Sequence, residues 1–179
     1  MEATPATALV AVDLQNGFLG PETRHILPVV KALAKSWIAA GAPVVFTRYH
    51  NYPGSPYERL LHWYKLRGEP ETALAAELDE LLPHAAGVID KTGYTVFVPE
   101  LDRLIADNGW TSVVLCGLDT ETCVLKSAAD AFERGLTPWL VEDACASNGG
   151  ERFHQDGLRV TGRLIGLEQI VKSADVLTV

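Results

Sequence analysis

Cysteine is scarce in this 179-residue chain, and basic residues are outnumbered. The three cysteines, Cys116, Cys123 and Cys145, are widely spaced and never form a C-x-x-C pair. An odd, scattered set of that kind excludes a disulfide framework and a clustered zinc site. Lys and Arg number 15 against 23 Asp and Glu, a net charge of −8, which argues against nucleic acid and anionic membrane surfaces as partners. No charge-free apolar run reaches transmembrane length. The opening MEATPAT carries Glu2 and lacks the basic start and apolar stretch of a secretory signal, so the expected home is a reducing cytoplasm. Also missing are G-x-G-x-x-G after the first apolar run and G-x-x-x-x-G-K-[S/T] anywhere, which sets aside the common nucleotide-phosphate cradles. No repeat, low-complexity tract or linker interrupts residues 1–179, and the length suits a single domain around one core.

What the chain does have is a series of apolar runs rich in β-branched residues. ALVAVD (8–13), APVVFT (42–47), GVIDK (87–91), SVVLCG (112–117) and TPWLVED (137–143) read as strands, with ADVLTV (174–179) as a weaker sixth. The first five lack simple alternation, as strands buried on both faces of a parallel sheet do. Helical stripes fall between them: Val29, Val30, Leu33, Trp37 and Ile38; then Leu74, Leu78, Leu81 and Leu82; then Leu101, Leu104 and Ile105; then Val124, Leu125, Ala128, Ala131 and Phe132. Strand–helix alternation predicts a doubly wound α/β sheet with right-handed crossovers. In such a sheet the chemistry gathers beyond the carboxyl ends of the strands, near the switch in strand order.

Reading the strand ends gives a short list. Asp13 follows the first strand, Lys91 ends the third, and CGLDTETCV (116–124) carries the fourth into a helix that contains Cys123 in its first turn. With Asp119 or Thr120 as N-cap, the free N–H groups and helix dipole there are expected to lower a thiol pKa and to hold an oxyanion. Taken singly, each residue has an ordinary explanation: a buried thiol, a turn-capping acid, a solvated lysine. Together they supply a nucleophile, a proton acceptor and a cation that orients both, with no histidine. The remaining cysteines read as core (Cys116) and as part of a partly exposed loop after the fifth strand (Cys145).

At this point the sequence resembles a known family. DLQNGF (13–18), K-TGYTVF (91–97), GLDTETCV (117–124) and DACAS (143–147), in this order, are similar to the signature blocks of the isochorismatase-like cysteine hydrolases. The resemblance implies a three-layer α/β/α, Rossmann-like fold with a six-stranded parallel sheet of order 3-2-1-4-5-6. It implies an Asp–Lys–Cys triad at Asp13, Lys91 and Cys123, with a cis peptide at Leu118–Asp119 and an oxyanion hole formed by the N–H groups of Asp119 and Cys123. It implies hydrolysis of a C–N bond in a small amide, ureide or carbamoyl compound through a cysteine thioester, without cofactor, in a homodimer or homotetramer.

The chain also departs from familiar relatives. Nicotinamidases carry a metal-binding D-W-H after the second strand, where this sequence has Tyr49-His50-Asn51, so no metal is expected. Substrate choice is expected from Phe18, the 48–64 part of the long irregular segment 48–70 and neighbouring subunits, with Arg48, Tyr49, His50, Asn51, Tyr57, Trp63 and Tyr64 as candidates. The same aromatics equally suit a subunit interface. Two rivals share the fold: a vinyl-ether hydrolase that uses Asp13 and not the thiol, and a non-catalytic binding protein.

Overall fold

In the computed structural model, which describes residues 3–176, the strands form one parallel sheet of order β3-β2-β1-β4-β5-β6. They are β1 (Thr7–Val12), β2 (Val44–Tyr49), β3 (Gly87–Lys91), β4 (Ser112–Leu118), β5 (Thr137–Ala146) and β6 (Ile170–Val171). The helices are α1 (Leu27–Ala39), α2 (Pro56–Leu61), α3 (Pro99–Asn108), α4 (Leu125–Glu133), α5 (Glu151–Ile165) and α6 (Ser173–Val176). Strand β1 is buried along its whole length, which is why it shows no apolar–polar alternation. Its neighbours β2 and β4 lie on opposite sides, so the order reverses between β1 and β4, and the crevice opens there.

Two close approaches set the geometry of that crevice. Val12 pairs with Gly117, whose φ is +115°, and a Cβ at Gly117 would stand 2.2 Å from the Val12 carbonyl oxygen. Only glycine permits both the contact and the backbone conformation. Helix α5 then packs behind the turn that follows β4. A Cβ at Gly157 would lie 2.8 Å from the Glu121 amide nitrogen, so this helix touches backbone directly.

The structure corrects four expectations. The 74–82 stripe is not a helix: it forms short 3-10 turns at Ala76–Leu78 and Leu82–His84. Leu74 is instead bridged to Gln15 in extended conformation, and Pro83 supplies no amide. Among the described residues the last strand is Ile170–Val171, and residues 174–176 of the expected 174–179 strand are helical: Ser173 leaves the sheet edge by donating its amide (2.7 Å) and hydroxyl (2.6 Å) to Asp143, and Ser173–Val176 turns helical. Residues 177–179 lie outside those described. The fifth strand runs on to Ala146, so Cys145 is buried strand and not exposed loop. Helix α5 was not anticipated, because its buried face is built largely of Gly157, Thr161 and Gly162, with Leu158 and Ile165.

Candidate active site

Each predicted strand end delivers its residue to one place. Asp13 leaves β1 with a left-handed φ of 52°, a conformation that costs a non-glycine residue about 1–2 kcal/mol and turns its side chain into the crevice. Thr47 on β2 holds it there: the Asp13 amide donates to the Thr47 hydroxyl (3.2 Å), which donates to Asp13 Oδ1 (2.7 Å). Gln15 locks the following turn through Nε2 to the carbonyls of Tyr49 and Thr72, both at 2.9 Å, and accepts the Tyr49 amide at 2.7 Å.

Lys91, fully buried at its side chain, ends β3. Its Nζ lies 2.6 Å from Asp13 Oδ2 and 3.5 Å from Cys123 Sγ, and it donates to the carbonyls of Gly93 (2.9 Å) and Tyr94 (3.2 Å). Burial disfavours the ammonium, but Asp13 and Cys123 outweigh it and hold the lysine pKa above its ordinary value.

Cys123 sits in a π-helical turn, Thr120–Val124, ahead of α4. Its carbonyl accepts the Ser127 hydroxyl at 2.6 Å, and that hydroxyl accepts the Val96 amide at 3.1 Å, tying the 91–97 loop to the turn. From behind, the Thr120 hydroxyl donates to the Ala146 carbonyl (3.1 Å) and lies 2.8 Å from His154 Nδ1 on α5. The Asp119 carbonyl accepts the Thr122 (3.1 Å) and Val124 (3.2 Å) amides, passing over the Cys123 amide between them. The Leu118–Asp119 peptide is cis.

The thiol does not have the lowered pKa expected from a helix start and a nearby lysine. Burial and the adjoining Asp13 carboxylate push it up to about 12, with Lys91 opposing. That shift favours the protonated sulfur at neutral pH. Asp119 takes the N-cap position, as expected, but its side chain makes no cap hydrogen bond: its Oδ1 accepts the Asn148 amide and Nδ2, both at 2.9 Å.

Of the three side chains Cys123 lines a cavity of about 290 Å³, and Lys91 and Asp13 reach it through the sulfur and each other. Phe18, Tyr49, Tyr57, Trp63 and Tyr94 give the cavity an aromatic wall, and Gly17, Leu61, Lys65, Asp119, Thr122, Cys123 and Asn148 complete it. Phe18 stacks on Trp63 with centroids 5.9 Å apart, while Tyr57 meets Tyr49 and Tyr94 edge-on, each at 5.1 Å. Of the sequence candidates, Phe18, Tyr49, Tyr57 and Trp63 reach this wall. Arg48 and His50 do not, since along an extended segment Tyr49 faces in and its neighbours face out. Arg48 pairs with Asp90 through Nε to Oδ1 (2.7 Å) and Nη2 to Oδ2 (3.0 Å), and His50 Nε2 lies 3.1 Å from the same carboxylate. With Asp90 taken by a guanidinium, that patch does not suit a cation. Among the described residues no group of three His, Cys, Asp or Glu could hold a metal ion. Asn51 is buried as a strut, accepting Ser55 Oγ (2.6 Å) and the Tyr52 amide (2.9 Å) and donating to the Trp63 carbonyl (3.2 Å). Tyr64 is exposed, with the Arg67 guanidinium over its ring. Sequence reasoning missed Tyr94 and Asn148, although both lie within or next to quoted blocks, and it missed Thr47 and His154, for which spacing offered no signal.

The sequence model described as the Isochorismatase domain matches residues 7–166. The chain belongs to the isochorismatase family. This isochorismatase-family hydrolase is 26% identical over 183 residues to Isochorismatase family protein 2A of Dictyostelium discoideum, covering 96% of the chain and 85% of the relative. It is 28% identical over 192 residues to ureidoacrylate amidohydrolase RutB of Methylobacterium radiotolerans, covering 86% and 72%. Among solved structures, nicotinamidase PncA from Bacillus subtilis superposes with a TM-score of 0.83 at 26% identity, over 93% of this chain and 99% of that one. N-carbamoylsarcosine amidase from Thermoplasma acidophilum gives 0.76 at 28% identity, over 93% and 96%. Other curated relatives match over about half of their own length, such as mouse Isochorismatase domain-containing protein 2B at 51%. Among the described residues no helix is long and apolar enough to cross a membrane.

Proposed function

We propose that this protein is a cysteine hydrolase that cleaves the C–N bond of a small amide, ureide or carbamoyl compound through a thioester on Cys123. The observation that carries this reading is the contact of three groups at the cavity floor: Lys91 Nζ stands 2.6 Å from Asp13 and 3.5 Å from Cys123 Sγ. That relatives in the comparison are named for amide and ureide hydrolysis supports it.

In the proposed cycle the thiol gives its proton to Asp13, and the sulfur attacks the carbonyl carbon of the bound amide. The carbonyl electron pair moves onto oxygen, which takes the N–H groups of Asp119 and Cys123. As the pair returns, the C–N bond breaks and Asp13 passes the proton to the departing nitrogen, which leaves as ammonia or an amine. Water then gives one proton to Asp13 while its oxygen attacks the thioester carbon. Collapse releases the acid, and the Cys123 sulfur regains its proton from Asp13. Lys91 fixes Asp13 and places positive charge beside the forming thiolate, offsetting the burial that raises the thiol.

A screen of small amides and ureides for ammonia release tests this. Turnover is expected to fall by at least about a thousandfold in Cys123→Ala, and intact-mass spectrometry of the unsubstituted protein is expected to catch an acyl adduct. Full turnover by Cys123→Ala would sink the reading. A second reading, vinyl-ether hydrolysis with Asp13 as the acid, draws on the protonated resting thiol; it requires Cys123→Ser to keep most activity. A protein that only binds would form no adduct with any probe.

A further inference from the structure

Asp119 stands apart from the rest of the cavity wall. It is the carboxylate among the lining residues, set against an aromatic and apolar surface. Its backbone is extended, at φ −87° and ψ 147°, and its side chain makes no cap to the turn that follows. Both recorded bonds, from the amide and Nδ2 of Asn148, fall on Oδ1. The carboxylate plane is thereby fixed, and among the described residues Oδ2 takes no hydrogen bond. A fixed acceptor with a free oxygen, on the residue whose own N–H is a proposed oxyanion donor and four residues before the proposed nucleophile, lines the same cavity and is arranged to meet a donor on the bound molecule.

Resting on the amidohydrolase reading, we propose that Asp119 selects the substrate: it accepts an N–H from a second donor group of a flat, largely apolar amide or ureide and turns away anionic ones. The aromatic wall takes the flat body by stacking and edge contacts, and the carboxylate sets its orientation. Charge repulsion would also help expel the acid product. On this account a dianionic vinyl ether fits the cavity poorly, and a neutral molecule with a carbonyl at Cys123 and a further N–H fits well.

Protonation of Asp119 would remove the discrimination. Burial pushes its pKa up to about 6, with Glu121 and Asp13 adding to the rise and the Asn148 donors opposing it. The other titratable groups facing the cavity are Lys65 at its mouth, the hydroxyls of Tyr49, Tyr57 and Tyr94, and Cys123, with Lys91 beneath. Because the folded pKa is raised, the carboxylate form holds above about pH 6 and is lost below it.

The test is calorimetric binding of benzamide, 3-aminobenzamide and 3-carboxybenzamide to the Cys123→Ala protein, which removes turnover. At pH 8, 3-aminobenzamide is expected to bind at least about tenfold more tightly than 3-carboxybenzamide. Adding Asp119→Asn should bring that ratio to within about threefold. With Asp119 intact, the ratio should shrink in the same sense between pH 8 and pH 5. Should Asp119→Asn fail to fold, the pH series decides alone. A ratio unmoved by substitution or by pH overturns the proposal, as does failure of all three compounds to bind. Failure of the hydrolase reading is distinct, since it shows as ammonia release persisting in Cys123→Ala.

Discussion

The floor and the wall of the cavity are built on different terms. On the floor, Asp13, Lys91 and Cys123 are buried, each on the end of a different sheet strand or its following turn, and their polar atoms are held by Thr47, Gly93, Tyr94 and Ser127. On the wall, Tyr57, Leu61, Trp63 and Lys65 come from one surface segment after β2, and Leu61 and Lys65 are exposed. The floor has few ways to move without leaving a charge unpaired in a dry interior. The wall can be changed one ring at a time. On the proposed function, reaction type would belong to the sheet and choice of substrate to the loops.

The largest effect expected from breaking this contrast is at Lys91. Lys91→Met leaves Asp13 buried without its cation, and should lower unfolding free energy in urea by about 3–5 kcal/mol as well as stop turnover. Adding Asp13→Asn should return most of the stability and none of the activity; a loss under about 1 kcal/mol in the single variant would show that the floor is not held by charge pairing. Next, Trp63→Ala removes a ring stacked on Phe18. It should raise KM about tenfold while kcat stays within about threefold, and an equal fall in kcat would tie the wall to the chemistry. The smallest effect is at Arg48, whose pair with Asp90 faces away from the cavity. Arg48→Ala should leave KM and kcat within about twofold and stability within about 0.5 kcal/mol.

The legible parts of this fold share a cause. Strands buried on both faces, such as β1, announce themselves as apolar runs, and polar residues at or beyond the strand ends mark the crevice, which is how Asp13, Lys91 and Cys123 could be singled out; β3, at the sheet edge, instead alternates between exposed and buried positions. Helix α5 was illegible because the residues that let it approach the Cys123 turn are small. Gly157 and Gly162 carry no hydrophobic signal and weaken any helical pattern, while Phe153, Val160 and Leu164 place apolar residues on the exposed side. Arg48 and His50 were grouped with Tyr49 by neighbourhood, whereas extended backbone sends them the opposite way. The direction of the Cys123 shift does not follow from the sequence, because a nearby lysine is visible there and the depth at which the sulfur lies is not.

The contact of Gly157 with the backbone at Glu121 carries a lesson for redesign. Since the helix meets the turn with no side chain between them, there is no spare volume behind Cys123 to trade. A bulkier residue at 157 would displace the turn that carries Cys123 before it reshaped the cavity. Anyone retargeting this enzyme should diversify Tyr57, Leu61, Trp63 and Asp119 from the front and hold the α5 face constant.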